Sequence, residues 1–548
     1  MDTATATATR PAPHAPAGLD YDTIIIGAGL SGLYQLYRLR NQGQNVKVFE
    51  MGTGVGGTWY WNRYPGCRFD SESYSYGFSW SKEVLEEWDW TEHFAPQPET
   101  ERYCNFVADK FDLKKHIQFS ARVKAAHYQD ANRSWKIILD DGSEHTARWL
   151  VTAVGPLSAP VFPRIKGRDT YKGEAYHTGL WPKHKVTFEG KNVAVIGTGA
   201  TGVQAITEIA KTAKTLTVFQ RRPNWCKPLR NKPISKAEMA EIRSRYDEIF
   251  RKCQESATCF LHTPDMRKTF DVSPEEREAF WEHQYNEPGF SMWVGGFRDM
   301  MTNRAANDAV SEFVADKIRQ RVKDPAVAEL LVPKEHGFGT RRVPQESGYY
   351  EVYNQDNVKL VSILENPIEE ITEKGLRTAA EDCQFDMIVY ATGFDAITGA
   401  FDRIDIRGAG GQTLKDKWGA GPKTFAGVLV EGFPNMFMLV GPHTALGNIP
   451  RSIEYAVEWV DDLIGHLTAK GATYANPTPK AEADWTEVVV KSNEGLLSSE
   501  VDSWMTGVNQ NVEGKQQRII ARYSGTAPAF REFCDRVAAN GYTEIATA

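Results

Sequence analysis

The sequence predicts an α/β fold with two doubly wound, Rossmann-like dinucleotide-binding domains, the second inserted in the first, together with a helical subdomain. Two Gly-x-Gly-x-x-Gly fingerprints carry this prediction, at Gly27–Gly32 and at Gly197–Gly202. Each follows a short apolar segment, Asp22–Ile26 or Asn192–Ile196, and opens a predicted helix. In this context the first Gly allows a tight turn, the second lets the backbone approach a pyrophosphate, and the third lets the helix pack on the strand.

The residue that ends the next strand of each unit distinguishes the two nucleotides. In the first unit that residue is Glu50, whose carboxylate can bind a ribose diol, and this favours FAD. In the second unit it is Gln220, followed at once by Arg221 and Arg222. Paired guanidiniums bind a 2′-phosphate through charge-assisted hydrogen bonds, so the second site favours NADPH over NADH. The alternative for this Arg pair is a solvated basic turn.

Composition excludes several classes of protein. The 548 residues have a net charge of −7, with 41% hydrophobic and 25% charged residues, as in an ordinary globular protein of two or three domains. The modest acidity argues against a nucleic-acid partner, and no apolar run reaches the ~18 residues of a membrane helix. Seven scattered cysteines without a Cys-x-x-Cys pair indicate a reducing compartment, the cytoplasm. We expect no metal site and a monomer.

The order of predicted elements divides the chain into segments. The predicted segments are a disordered tail at 1–20, the first part of the FAD-binding domain at 21–155, the NADP-binding domain at 156–394 with a helical insertion at about 225–335, and the second part of the FAD-binding domain at 395–548. The predicted elements include a hairpin of Val123–Tyr128 and Ser134–Leu139 with turn residues Asp140–Ser143, buried strands at Trp149–Gly155 and Phe385–Gly393, and a helix at Ser452–Leu467. The two buried strands predict that the chain crosses between the domains twice.

Three further motifs are specific to a family. The segment Tyr171–Pro182 contains Gly173, His177, Trp181 and Pro182; a second motif combines Gly56–Trp59, Tyr64–Gly66 and Asp70; a third is Ala391–Asp395. Together they resemble the signatures of the type I (class B) flavin-dependent Baeyer–Villiger monooxygenases, nearest to the members that oxidise cycloalkanones and phenylacetone. Tyr171 replaces the family's Phe, which keeps an aromatic ring there.

The resemblance implies a reaction. NADPH reduces FAD, O₂ adds to the reduced flavin as a peroxide, and this peroxide attacks a ketone to give an ester or lactone. The ketone is expected to be cyclic or bulky. Negative charge develops on oxygen during the attack, and a fixed cation can stabilise it by ~3–4 kcal/mol per donor. Water must be kept away from the reduced-flavin adduct.

The same resemblance assigns site residues. Arg342 is the expected catalytic cation, Asp70 orients it, and the adjacent Arg341 holds the 2′-phosphate of NADP. Without the resemblance, a surface turn would be the commoner fate of Arg341 and Arg342. His177 is expected to couple domain movement to catalysis and not to transfer protons.

The remaining assignments concern cofactor contacts. The expected FAD contacts are Gly27, Gly29, Ser31, Gly32, Glu50, Thr58, Trp59, Tyr60, Trp61, Asp70, Tyr76, Val123 and Ile449. The expected NADP contacts are Arg68, Thr198, Gly199, Ala200, Thr201, Gly202, Gln204, Arg221, Arg222, Arg341 and Trp504. Trp504 lies on a predicted mobile loop near 500–515, and Gly441–Pro450 is expected to line the substrate cavity. For the aromatic residues the alternative is core packing.

Three other functions share part of this pattern. A nitrogen- or sulfur-oxygenating class B flavin monooxygenase shares both nucleotide sites but needs no arginine like Arg342. A disulfide oxidoreductase requires a close redox Cys pair, which the sequence lacks. A nucleotide-sensing module explains one fingerprint, but not two together with Arg342 and Asp70.

Overall fold

A computed structural model describes residues 18–548. The predicted tail at 1–20 lies outside these residues except for its last three. The first fingerprint unit forms as predicted: the strand Tyr21–Ile26 leads through Gly27 into the helix Leu30–Asn41, and the chain returns along the parallel strand Val46–Phe49. Both faces of Tyr21–Ile26 are covered, which explains why its sequence is almost continuously apolar.

The first sheet has eight strands. Seven lie in the order Asp405–Arg407, Val123–Gln129, Ser134–Leu139, Glu144–Thr152, Tyr21–Ile26, Val46–Phe49 and Ile117–Gln118, and Met436–Met438 pairs with Glu144–Thr152. The strands around Tyr21–Ile26 are parallel, whereas Val123–Thr152 forms an antiparallel meander.

The predicted hairpin was incomplete. Asp140–Ser143 does not join the two predicted strands but connects Ser134–Leu139 to a third strand, Glu144–Thr152. The strand predicted at Trp149–Gly155 is the end of this third strand. Its first half pairs only within the meander and is partly exposed, whereas its last residues pair with Tyr21–Ile26 and are buried. One strand therefore carries two sequence patterns.

The second sheet has five strands, all parallel. Their order is Val358–Ser362, Thr215–Gln220, Asn192–Ile196, Met387–Tyr390 and Glu174–His177. The helix Ala200–Ile209 follows the second fingerprint. The chain leaves the first sheet after Thr152 and returns to it after Tyr390, so it passes between the sheets twice, at the two strands where the sequence predicts a crossing.

Smaller sheets complete the strands. Ile368–Thr372, Gly375–Thr378 and Asp382–Gln384 form an antiparallel sheet; Lys227–Pro228 pairs with Gln345–Glu346, and Ala475–Pro477 pairs with Ile545–Thr547.

Helices occupy the predicted insertion. Those between residues 225 and 335 are Lys236–Ser244, Tyr246–Glu255, Pro274–Asn286, Ser291–Val294, Arg304–Arg321 and Pro325–Leu331. The remaining α-helices are Thr58–Trp61, Ser73–Tyr76, Lys82–Glu87, Gln97–Lys110, Leu414–Lys417, Ile449–Ala469, Pro479–Ser492 and Ala527–Ala539. The 3₁₀ turns are Lys114–His116, Arg168–Thr170, Thr178–Leu180, Glu351–Asn354, Phe401–Arg403, Ala409–Gly411, Leu497–Glu500 and Trp504–Thr506.

Two helix starts show how the sequence sets boundaries. The side chain of Ser273 accepts a hydrogen bond from the N–H of Glu276, and Pro274 occupies the first turn. The helix predicted at Ser452–Leu467 begins earlier, at Ile449, because Pro450 is compatible with a first turn, where its missing N–H would have no helical partner.

The largest apolar core contains residues of both sheets, including Ile25 and Val48 of the first and Val193 and Val195 of the second. None of the seven cysteines is in a disulfide. Within residues 18–548, no cluster of His, Cys, Asp and Glu is arranged to hold a metal ion. The helices of that range include none with the length and apolar character needed to cross a membrane.

Candidate active site

The first fingerprint forms a tight strand-to-helix turn. Gly27 has a φ of 104°, which a residue with a Cβ rarely adopts, and a Cβ there would lie 2.5 Å from the carbonyl oxygen of Ala153. A Cβ on Gly32 would overlap the carbonyl oxygen of Gly27. Gly29 faces the backbone of Gly57, with 3.4 Å between a Cβ built on Gly29 and the Cα of Gly57. Two glycines thus border the surface that a pyrophosphate would approach.

Glu50 closes this turn from the next strand. Its Oε2 accepts a hydrogen bond from the N–H of Ala28 at 2.8 Å, and its Oε1 accepts one from Gly52 at 2.6 Å. Burial raises the pKa of Glu50, and these two N–H groups oppose the rise. Each carboxylate oxygen keeps a further lone pair, so the arrangement fits a ribose diol as the sequence predicts.

The aromatic residues after Gly57 pack beside the turn. In the helix Thr58–Trp61, Trp59 and Tyr60 are buried, Thr58 is exposed and Trp61 is half-buried. The indole N–H of Trp59 donates to the hydroxyl of Tyr76 at 3.0 Å, and Tyr76 stacks on Phe69 with 4.2 Å between ring centres. These contacts place the predicted flavin-lining aromatics next to Asp70, which follows Phe69.

The remaining predicted FAD contacts lie on different elements. Ser31 is buried in the first turn of Leu30–Asn41, and Val123 is buried at the start of a strand of the first sheet. Ile449 is the first residue of its helix, whose N-cap, Asn448, donates from its side chain to the backbone oxygen of Ser75 at 3.1 Å. That bond ties the segment Gly441–Pro450 to the helix that carries Tyr76.

The second fingerprint repeats the geometry with one difference. A Cβ on Gly202 would overlap the carbonyl oxygen of Gly197, but a Cβ on Gly199 would have no heavy atom within 4 Å. The backbone at Gly199 is therefore open to an approaching phosphate, at the N-terminus of Ala200–Ile209. Two hydroxyls fix the turn: Thr198 donates to the carbonyl oxygen of Arg222, and Thr201 lies 3.2 Å from the hydroxyl of Thr178.

Three guanidiniums gather beyond this turn. Arg221, Arg222 and Arg341 act on one another electrostatically, and the carboxylate of Glu335 lies among them, 2.7 Å from Nε of Arg222. Burial lowers the pKa of both Arg221 and Arg341, and the neighbouring guanidiniums lower it further. Buried Nε of Arg341 has no hydrogen-bond partner in the described chain. An excess of positive charge with an unused donor fits a bound phosphate.

Arg342 is held by Asp70. Nη2 of Arg342 donates to Oδ2 of Asp70 at 2.8 Å, and the backbone N–H of Gln345 reaches the same oxygen at 3.4 Å. The Asp70 side chain is 1% exposed and that of Arg342 is 30% exposed. Burial raises the pKa of Asp70, while the guanidinium opposes the rise. The other terminal nitrogen, Nη1, is buried and has no hydrogen-bond partner within residues 18–548.

Gln204 connects this ion pair to the second sheet. It lies on the helix Ala200–Ile209, yet its side chain accepts from the hydroxyl of Tyr64 at 2.7 Å and donates to the carbonyl oxygen of Arg68 at 3.1 Å and towards Asp70 at 3.5 Å. Arg68 pairs with Glu92 at 2.9 Å. Gln204 and Arg68 are among the predicted NADP contacts. In the structure their side chains contact protein groups at the junction of the two units.

The predicted mobile loop is fastened at its end. Nζ of Lys515 contacts both oxygens of Asp395 at 2.7 and 2.9 Å, the hydroxyl of Thr398 at 2.9 Å and Asp402 at 2.8 Å. Trp504 stands in a 3₁₀ turn of this loop with 36% of its surface exposed. Asp395, one of the residues that Lys515 contacts, is the last residue of the Ala391–Asp395 motif. Lys515 therefore connects the loop to the point where the chain leaves the second sheet.

His177 is built into the edge of the second sheet. Its Nδ1 accepts from the N–H of Gly179 at 3.0 Å, and its Nε2 lies 3.2 Å from the carbonyl oxygen of Val161. The ring is therefore neutral with its proton on Nε2, and burial lowers its pKa to about 4. Both nitrogens are occupied by backbone groups, which supports a structural and not a proton-transferring role.

Sequence reasoning missed several contributors. The sequence assigns no role to three residues that contact the site. Glu335 lies among the arginines, Lys515 binds Asp395, and Nζ of Lys183 lies 4.3 Å from the ring centre of Tyr60. Tyr64 belongs to a family motif, but the motif does not predict its hydrogen bond to Gln204. For Lys183 a signal existed, because it directly follows the Tyr171–Pro182 motif.

Several known proteins are similar to this chain. The flavin-binding monooxygenase-like family matches residues 22–260. The chain is 47% identical to the 2-oxo-Δ³-4,5,5-trimethylcyclopentenylacetyl-CoA monooxygenase of Pseudomonas putida, over 95% of this chain and 97% of that protein. It is 40% identical to a Baeyer–Villiger monooxygenase of Pseudooceanicola batsensis, over 96% of each, and 40% identical to the phenazine N-monooxygenase of Lysobacter antibioticus, over 92% of this chain and 93% of that protein.

Solved structures match equally well. The crystal structure of OTEMO with FAD and NADP has a TM-score of 0.93 at 47% identity and covers 97% of this chain and 100% of that one. The closed crystal structure of cyclohexanone monooxygenase also has a TM-score of 0.93, at 40% identity, covering 96% of this chain and 99% of that one.

Two glycines of the second fingerprint should respond differently to alanine. Gly199 has φ −75° and ψ −172°, which alanine adopts, and open space beside it. We expect Gly199→Ala to keep the wild-type Tm but to weaken NADP⁺ binding by about tenfold or more, because the methyl group obstructs the pyrophosphate. Gly202→Ala should lower the Tm, because its Cβ overlaps Gly197. Thermal unfolding and NADP⁺ titration measure both; equal loss of Tm in the two variants would contradict this assignment.

Neutral His177 should make stability fall as the pH falls. Below its unfolded pKa of about 6.5 the unfolded chain binds a proton that the folded chain, with a pKa of about 4, does not. His177→Asn lacks this loss of stability with falling pH. The difference in free energy of unfolding between wild type and variant should therefore narrow by about 2 kcal/mol between pH 7 and pH 5. The exposed His184 provides the control as His184→Asn. A gap that stays constant, measured by thermal unfolding, would show that His177 is not buried neutral.

Proposed function

The chain belongs to the flavin-dependent Baeyer–Villiger monooxygenases, which bind FAD and NADPH, and we propose that it inserts one oxygen atom of O₂ next to the carbonyl group of a cyclic ketone. When both cofactors are bound, NADPH supplies the hydride that reduces FAD, and the reduced FAD supplies activated oxygen. The protein supplies binding, orientation, charge and exclusion of water. The observation that carries the residue assignments is the Arg342 guanidinium, which Asp70 holds on one side and whose Nη1 has no partner among the residues that the structure describes.

Arg342 is suited to stabilise an oxygen that gains negative charge. Its Nη2 is engaged by Asp70, so the orientation of the planar guanidinium is set before any substrate arrives. Nη1 is left as a donor in a site withdrawn from water, where a charge-assisted hydrogen bond is strong. The role follows from preorganisation: little rearrangement is needed when charge develops.

Asp70 acts through Arg342. Its carboxylate is almost fully buried, and it accepts from Arg342, from Gln345 and weakly from Gln204. A buried carboxylate that pairs with a planar guanidinium limits the rotamers of that guanidinium. We therefore propose Asp70 as the residue that positions Arg342.

The second unit, within the predicted segment 156–394, is proposed to bind NADPH. The open backbone at Gly199 accepts the pyrophosphate, and the guanidiniums of Arg221, Arg222 and Arg341 surround the 2′-phosphate. A dianion there relieves the repulsion among the three cations, which NADH cannot do. The first unit, with Glu50 and the Gly29–Gly57 approach, is proposed to bind FAD.

The cyclic-ketone substrate is supported by the relatives, since the names of two of them describe a ring ketone. The phenazine N-monooxygenase at 40% identity supports nitrogen oxygenation as the alternative. Product analysis with cyclohexanone and with phenazine, at equal NADPH consumption, distinguishes the two: lactone from the ketone supports the proposal, and N-oxide alone supports the alternative.

We also propose that the chain works as a monomer in the cytoplasm. Its unpaired cysteines support a reducing compartment, because most are buried and none is bridged. Light scattering after size-exclusion chromatography measures the oligomeric state.

Replacing Arg342 should separate flavin reduction from oxygen transfer. We expect Arg342→Ala to bind FAD and to be reduced by NADPH, but to lose ester or lactone formation by a factor of about 100 or more, the usual effect of removing one such donor. Arg342→Lys should recover part of the activity, because it keeps the charge but not the planar fork. Flavin content, the rate of anaerobic flavin reduction and product yield give the three readouts. Normal product yield in Arg342→Ala would refute the role.

Replacing Arg221 should change the choice of nucleotide. Arg221→Ala removes one cation from the 2′-phosphate cluster, so the KM for NADPH should rise by about tenfold or more while the KM for NADH stays within about twofold. Arg377→Ala, an exposed arginine on the small antiparallel sheet, is the matched control and should change neither. Equal increases of both KM values in Arg221→Ala would argue that Arg221 has no contact with the phosphate.

A further inference from the structure

A small cavity lies beneath the loop that carries Trp504. Its volume is about 90 Å³, enough for one oxyanion group but not for a nucleotide. Its polar lining comes from three segments: Asn493 after the helix Pro479–Ser492, Ser498 in the turn before the loop, and Arg518 and Arg522 after it. Thr506, two residues beyond Trp504, completes the wall.

Arg522 is the unusual member of this lining. Its side chain forms no ion pair and no hydrogen bond within residues 18–548, although the backbone oxygen of the same residue accepts from Asn493 at 3.1 Å. Burial lowers its pKa to about 10, and no carboxylate opposes that shift. The Arg522 side chain is half-buried. A cation partly withdrawn from water without a counter-charge is unfavourable, so cations in such places are normally paired.

The other polar groups leave room for an anion. Arg518 is engaged by Asp502 through a 2.7 Å contact, and the side chains of Asn493 and Thr506 form hydrogen bonds with other protein groups. Ser498 is a buried residue that lines the same cavity, and its hydroxyl makes no hydrogen bond within residues 18–548. One unpaired guanidinium and one unused hydroxyl therefore share this space.

We propose that this cavity is an oxyanion-binding site, in which Arg522 and Ser498 bind a single phosphate or carboxylate group. The site is separate from the proposed reaction centre and from the arginine cluster of the second nucleotide site. A bound anion joins the segment before the loop to the segment after it, and so stabilises the turn that carries Trp504.

The Arg518–Asp502 ion pair connects the cavity to the second nucleotide site. Asp502, the partner of Arg518, is one of two carboxylates that act on Arg341 of the arginine cluster, the other being Glu335. An anion beside Arg518 and Arg522 competes with Asp502 for Arg518. Binding of an anion in the cavity should therefore change the loop and the electrostatic environment of Arg341.

The test uses the FAD-bound enzyme saturated with NADP⁺, which fills the arginine cluster and leaves the cavity as the site under study. Inorganic phosphate is titrated against chloride at equal ionic strength, with Tm and hydrogen exchange of residues 501–520 as readouts. Wild type should gain Tm and loop protection with phosphate. Arg522→Gln should bind phosphate at least tenfold more weakly, and Arg377→Gln should behave as wild type.

A second comparison separates this role from a purely structural one. Without anion, Arg522→Gln should be at least as stable as wild type, because it removes an unpaired charge; a structural arginine would lower the Tm on removal. Ser498→Ala removes only the hydroxyl donor and should weaken phosphate binding with the fold unchanged, which keeps the test decisive if Arg522→Gln folds poorly.

The source of the anion is tested with a cyclic ketone that bears a carboxylate side chain. Loop protection by phosphate that is lost in Arg522→Gln supports a free anion. Protection by the carboxylated ketone alone, lost in Arg522→Gln, supports an anionic group on the substrate. No response to either compound, or the same response in Arg522→Gln as in wild type, overturns the proposal.

Discussion

The ion pair between Asp70 and Arg342 is the interaction on which the candidate site depends. Asp70 stands before the helix Ser73–Tyr76, beside the aromatic residues of the first unit, whereas Arg342 follows the helical insertion of the second. The two residues are 272 positions apart, so their contact requires both units and the insertion to be folded and docked. A buried carboxylate without its guanidinium would be strongly unfavourable, so the pair also constrains how the units meet.

Other contacts reinforce the same junction. Gln204 extends from the second nucleotide helix to Tyr64, Arg68 and the edge of Asp70. Lys183 lies over the ring of Tyr60, which connects the Tyr171–Pro182 motif to the first unit. Lys515 fastens the Trp504 loop to Asp395, where the chain returns from the second sheet. The family motifs are thus grouped where the two units touch, and this explains why they are distant in sequence but specific together.

The sequence predicted the parts of the structure that depend on local geometry. Each glycine fingerprint follows from a turn and a close helix-strand contact, both encoded within a few residues. The strand Glu144–Thr152 was misread because it belongs to a meander at one end and to a parallel sheet at the other, so no single period describes it. The helix predicted at Ser452–Leu467 begins at Ile449, because a proline such as Pro450 is compatible with the first turn of a helix.

Long-range side-chain contacts could not be predicted from the residues alone. Arg342 was assigned through a family resemblance, since an Arg-Arg dipeptide is uninformative without its partner. Lys515 and Asp395 are 120 residues apart, and Glu335 lies among the arginines only because the insertion folds back. The site at Arg522 is recognised because its side chain has no partner within residues 18–548, and a sequence alone does not show which side chains lack partners. Composition and spacing say which groups are present, whereas docking decides which of them remain unpaired.

The central claim is that Asp70 acts on oxygen transfer by holding Arg342. A double-mutant cycle with Asp70→Ala, Arg342→Ala and the double variant tests it most directly, with product formation measured in enzyme that contains FAD and is reduced by NADPH. If the two residues act as one unit, each single variant loses nearly as much activity as the double variant. Losses that multiply in the double variant would show that the residues act independently and would contradict the account.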